Sequence, residues 1–171
     1  MRCLIAFSIL FLFGCAPRHV AAPALREPES SSAKPFASSG CTDDPVALLR
    51  KNVWGPDRLE IIEPCITVIG VITDVRPILD GDLHIRLRPD PPFEGLLNDA
   101  NRTLQHGHLV LEPKCRWWPW RRNSTGSCKN YGFPLQIPKT GTRVRVTGIY
   151  VFDRDHGWNE LHPIFRLDPI P

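Results

Sequence analysis

The chain has 171 residues, 42% of them hydrophobic and 23% charged, which fits one globular domain with a tail and excludes a collagen, a coiled coil or a multi-span membrane protein. Twenty-one basic residues against 18 acidic ones leave a formal charge of +3, which specifies no class of partner. Eighteen prolines and 12 glycines beside one methionine argue for many turns and short strands, and so for an all-β domain.

Residues 1–15, MRCLIAFSILFLFGC, begin with Arg2 and run apolar from Leu4 to Phe13. A spanning helix needs about 20 apolar residues, so the segment reads as an export signal that is removed rather than a permanent anchor. Leu12-Phe13-Gly14-Cys15 resembles the bacterial lipobox, with Phe13 departing from the usual small or aliphatic residue. That resemblance implies a lipoprotein signal peptide over residues 1–14 and lipid on Cys15, each acyl chain contributing about 0.8 kcal/mol per buried CH₂. It also implies a place in the cell envelope, at the outer membrane if the cell has one. An ordinary secretory signal cleaved before Ala22 is the rival reading. Residues 15–40 are rich in Ala, Pro and Ser and read as a disordered tether, which leaves 41–171 as the domain.

Thiols in an oxidising compartment pair. With Cys3 in the signal and Cys15 lipidated, Cys41, Cys65, Cys115 and Cys128 remain, and four cysteines allow three connectivities. The favoured pairs are Cys41–Cys65, tying the N-terminal segment to the barrel, and Cys115–Cys128, closing a loop. A four-cysteine zinc site is disfavoured because no C-x₂-C pair occurs.

Thr42-Asp43-Asp44-Pro45 before VALLRKN is a capping residue and an early proline, predicting a short helix. Ile66 to Val75 is apolar on both faces, as in a strand buried on both sides or curving around a small barrel. Asp80-Gly81 marks a turn. Asp82 to Leu87 then alternates, placing Leu83, Ile85 and Leu87 inside and Asp82, His84 and Arg86 outside. Helical turns between Phe93 and His106 precede a third strand, His108 to Pro113. A fourth runs from Arg143 to Phe152, with Val144, Val146 and Tyr150 inward and Gly148 allowing a bend. After a turn at Asp153 to Asn159, the fifth strand, Glu160 to Leu167, puts Leu161, Phe165 and Leu167 on one face and Glu160, His162 and Arg166 on the other. Five strands in about a hundred residues suggest a small closed barrel.

VIGVITDVRPILDGDLHIRL and the later GTRVRVTGIYVFDRDHGWNELHP resemble the OB-fold. More narrowly, DGDLHIRL, HGHLVLE, the Cys115 to Gly132 region and HGWNELHP resemble a family of exported bacterial OB-fold proteins of poorly characterised function. The resemblance covers roughly Cys65 to Leu167. It implies a five-stranded OB-like barrel with a ligand face on strands two and three, where OB-folds bind oligonucleotides or oligosaccharides. If strand three lies between strands two and five, then His84, Arg86, His108, Glu112, Glu160 and His162 share one curved outer surface.

Three clusters are candidate sites. In HGWNELHP, His156, Glu160 and His162 could bind a metal or act as a base and its orienter, with His84, His108 or Glu112 as a further ligand. The plainer reading makes Asp155-His156-Gly157 a tight turn, Trp158 a plug, and Glu160 and His162 partners of neighbouring strands. His106-Gly107-His108 with Glu112 is the second, where one histidine caps the helical turn and Glu112 pairs with Arg86. The third is Arg116 to Arg122, in which Trp117, Trp118, Trp120, Arg121 and Arg122 suit stacking on bases or sugars, or seating at a lipid interface; its rival has two of the tryptophans folded onto the barrel. No nucleophile elbow or HExxH occurs. From Cys15 onward 20 basic residues face 18 acidic ones, a weaker excess than nucleic-acid binders usually show. The expectation is a lipid-anchored, non-enzymatic binding module needing no metal or cofactor, with an envelope glycan, a protein or single-stranded nucleic acid as ligand. The alternative is a metal-assisted hydrolase built on His156, Glu160 and His162.

Overall fold

The computed structural model describes residues 41–78, 82–114 and 135–171. The signal, Cys15 and the tether lie outside them. So do the Asp80-Gly81 turn, the Cys115–Cys128 pair, and Trp117, Trp118, Trp120, Arg121 and Arg122.

Helix α1 (Pro45–Asn52) starts as its sequence requires: Asp44 accepts a hydrogen bond from the Ala47 N–H at 2.9 Å and Pro45 opens the first turn. Arg50 and Lys51 occupy the last turn, where cations complement the helix dipole. Leu49 and Val53 bury against Leu59, Ile149, Val151 and Phe165, an apolar cluster on the outside of the sheet. Cys41 is bonded to Cys65, with Cα atoms 5.8 Å apart, as favoured from the sequence.

Five strands close into a barrel in the order β1-β2-β3-β5-β4. These are β1 (Leu59–Pro77), β2 (Leu83–Pro89), β3 (Leu109–Leu111), β4 (Arg143–Asp153) and β5 (Asn159–Pro169). All neighbours are antiparallel except β3 and β5, which run parallel. At 19 residues β1 is long enough to pair with both β2 and β4, and register shifts near Glu63 and Thr73 curve it between them. Gly70 lies where the curved strand meets β2: a Cβ there would sit 2.3 Å from the Arg88 carbonyl oxygen. Between β2 and β3 run a 3₁₀ turn, Pro91–Leu96, and helix α2 (Asp99–Leu104), which Asn98 and Asn101 cap reciprocally. No helix among the described residues is long and apolar enough to cross a membrane.

The interior holds the predicted Leu83, Ile85 and Leu87, the predicted Val144, Val146 and Tyr150, and Leu109, Leu111 and Leu161. Each fully buried aliphatic side chain stabilises the fold by about 1.5–3 kcal/mol. Three expectations need correction. β1 begins at Leu59, six residues before Cys65, and continues through Glu63 and Pro64 by bulging rather than alternating. β3 is shorter than predicted. Phe165 faces the outer α1 cluster while Ile164 fills the barrel, because the β4–β5 register shifts on both sides of Gly148 and reverses the alternation.

Candidate functional site: a buried charge network outside β3 and β5

Strand alternation turns Leu161 into the barrel and leaves Glu160 and His162 on its outer side. β3 lies between β2 and β5, as the shared-surface expectation required. That outer side is not solvent, however: Glu160 and His162 are 0% exposed, and Asp82, Glu112 and Lys114 are also buried.

His162 is the centre. Its Nδ1 lies 2.8 Å from Glu160 Oε1 and 2.9 Å from Glu112 Oε2, so both carboxylates lie against one ring nitrogen. Glu160 Oε2 accepts the Trp158 indole N–H at 2.9 Å, and Arg58 approaches Glu160 at 3.9 Å. Arg58 also pairs with Asp153 at the end of β4. Asp153 builds the following turn: its Oδ1 accepts the Asp155 and His156 backbone N–H groups, and its Oδ2 meets His156 Nδ1 at 2.8 Å. On the far side of His162, Lys114 pairs with Asp82. The Nε2 atoms of His84 and His162 are buried and have no hydrogen-bond partner among the described residues.

Electrostatics explain how so many charges stay buried. Burial pushes the Glu112 carboxyl up, but the His162 charge and hydrogen bond, with Arg58 and His84, outweigh it and hold Glu112 below its ordinary 4.5. Burial likewise disfavours the His162 imidazolium, yet Glu112 and Glu160 overcome that and raise its pKa above 6.5. The two carboxylates beside it thus favour the protonated form of His162.

Asp82, Glu112 and His162 each place a donor atom within 4.8 Å of the others, an oxygen and imidazole set that suits a zinc-like ion. Lys114 holds Asp82 and two carboxylates face His162 Nδ1, so a metal would have to displace the ammonium from Asp82, whereas Glu112 Oε2 and His162 Nε2 have no hydrogen-bond partner among the described residues.

The remaining candidates divide by location. Arg86 donates to Gln105 at 2.9 Å instead of pairing with Glu112, because Glu112 is turned onto His162. His108 Nδ1 meets the Gln105 carbonyl at 2.7 Å, closing the end of α2 as expected of one histidine. Asp82, predicted to be outside, is buried against Lys114. The turn at His156 and Gly157 forms as read, with Gly157 at φ 80°. Trp158 is half-buried, stacked on His156 at 4.4 Å and meeting His84 edge-on at 5.9 Å. Sequence reasoning missed Arg58, Lys114 and Asp153 as site residues. Asp153 alone carried a local signal, an aspartate opening a turn two residues before its first N–H donor.

An open groove of about 410 Å³ lies elsewhere, between Leu135 to Pro138 and the end of β5, with Arg166 at its edge. No protein-family model, curated protein or solved structure matches this chain.

Proposed function

We propose that the chain is an exported, lipid-anchored OB-type barrel that works as a non-enzymatic binding module for an envelope glycan. The observation that carries this reading is the strand order, which sets β3 between β2 and β5 and so brings His84 of β2 beside Trp158 and His156 at the entrance to β5. The stacked pair, with His156 exposed, offers an aromatic platform of the kind that planar or ring-shaped ligands stack on. The order β1-β2-β3-β5-β4 with β3 and β5 parallel supports the OB assignment, and the Cys41–Cys65 disulfide supports an oxidising compartment.

Hydrolysis by His156, Glu160 and His162 is disfavoured on access, since Glu160 and His162 are enclosed and bonded to each other. Mild net charge favours a glycan over a nucleic acid. The test is tryptophan fluorescence and thermal melting of the purified protein with peptidoglycan fragments, oligonucleotides and anionic liposomes. Peptidoglycan fragments alone should shift the emission, and His156→Ala should abolish that shift. Response only to oligonucleotides or liposomes, or to none of the three, defeats the glycan reading. Separately, Cys15→Ser should release the protein from the membrane fraction; retention there defeats the anchor.

A further inference from the structure

Asp82 immediately precedes β2 and Lys114 follows β3. The antiparallel register that pairs Ile85 with Leu111, and Leu87 with Leu109, continues to set Asp82 opposite Lys114, and the Leu83 N–H reaches the Pro113 carbonyl at 3.4 Å. The two side chains are in contact, with 2% of the lysine and 0% of the aspartate exposed. Two positions before Lys114, and so on the same side of the chain, the Glu112 carboxyl is buried within 4.8 Å of the Asp82 carboxyl. His162 fixes it there.

We propose that Lys114 and Asp82 are joined by an intramolecular isopeptide bond, with Glu112 carrying a proton during its formation. A proton passes from the Lys114 ammonium to the Asp82 carboxylate in contact with it, leaving a neutral amine and a neutral acid. The Lys114 Nζ lone pair then attacks Asp82 Cγ, forming the C–N bond. Glu112 takes the surplus N–H proton and delivers it to the departing hydroxyl, the C–O bond breaks, and one water leaves. An ammonium and a carboxylate become an amide and water, with no oxidant or other reactant needed.

Three physical features favour this over a persistent ion pair. Two groups locked in contact react with a very high effective concentration. A buried ion pair carries a desolvation cost that vanishes with its charges. An ammonium can become a nucleophilic amine, whereas the guanidinium of the less enclosed Arg58–Asp153 pair does not deprotonate, so that pair stays ionic. Glu112 stands within 4.8 Å of the Asp82 carboxyl, and His162 positions it. The proposal is independent of the binding role.

Peptide mapping of the mature protein purified from membranes, after reduction and alkylation, is the test. Most molecules should yield a branched peptide carrying Asp82 and Lys114, lighter than the sum of its two arms by one water. Lys114→Arg, which keeps the charge, should yield linear peptides only, and Glu112→Gln should yield mostly unmodified Lys114 and Asp82. Linear peptides alone from the wild-type protein overturn the bond whatever the variants do, and undiminished branching in Glu112→Gln overturns the role of Glu112.

Discussion

Leu161 and His162 are consecutive residues of β5 and neither touches water, yet opposite kinds of interaction hold them. Leu161 points into the barrel among aliphatic side chains, where each contact is non-directional and stabilisation follows the area buried. His162 points away from the barrel into a set of charges whose positions are fixed one against another. The inner cluster tolerates any side chain of suitable shape. The outer one depends on a complete circuit, since a buried charge without its partner is far costlier than a missing methylene.

Substitutions should separate the two regions. His162→Leu leaves Glu112 and Glu160 facing each other without their shared imidazole and should cost about 3–5 kcal/mol; adding Glu112→Leu should recover part of that loss, as read by urea denaturation of the single and double variants. Leu161→Ala should cost about 2–5 kcal/mol through the cavity it leaves, and no partner deletion should restore it. Should His162→Leu and Glu112→Leu add like two independent core truncations, the contrast fails.

The disulfide acts on neither cluster directly. Paired replacement of Cys41 and Cys65 by serine opens a loop with a sequence separation of 24 and should cost about 3 kcal/mol in midpoint denaturation, mostly by enlarging the unfolded ensemble. The pH profile is a finer probe. The Glu112 contribution is complete above 4.5 and lost as pH falls through its lowered folded value, whereas the His162 contribution is complete below 6.5 and lost as pH rises through its raised folded value. Stability measured across pH should therefore crest between the two ordinary values, and His162→Leu should flatten the alkaline side. The smallest effect belongs to Tyr150, whose hydroxyl donates to the Leu96 carbonyl at 2.6 Å, accepts from Asn159 at 2.7 Å, and is pushed up to about 12 by burial. Tyr150→Phe should cost about 0.5–1.5 kcal/mol per lost hydrogen bond in the same denaturation assay.

The same contrast explains what could be read in advance. The alternation of Leu83, Ile85 and Leu87, the Asp44-Pro45 start of α1 and the Cys41–Cys65 pair rest on local rules, and the fold follows them. Period-two alternation assigns Glu160 and His162 correctly to the side opposite Leu161, but it cannot say whether that side meets water. Enclosure there is decided by residues distant in sequence, such as Arg58 and Lys114, which is why the residues were foreseen and their burial was not. Phe165 was misplaced for another reason. The register shifts around Gly148 alter the facing of β5, and a bulge leaves little trace in an alternating string.

The bond between Cys41 and Cys65 also sets a load path. A pull on the chain ahead of Cys41 passes through sulfur to the middle of β1, which is laddered to β4 on one side and, further along, to β2 on the other. Helix α1 and the Pro56–Arg58 turn lie inside the covalent loop and carry none of that tension. Helix α1 is thereby spared, and force is delivered in shear to the 19-residue β1.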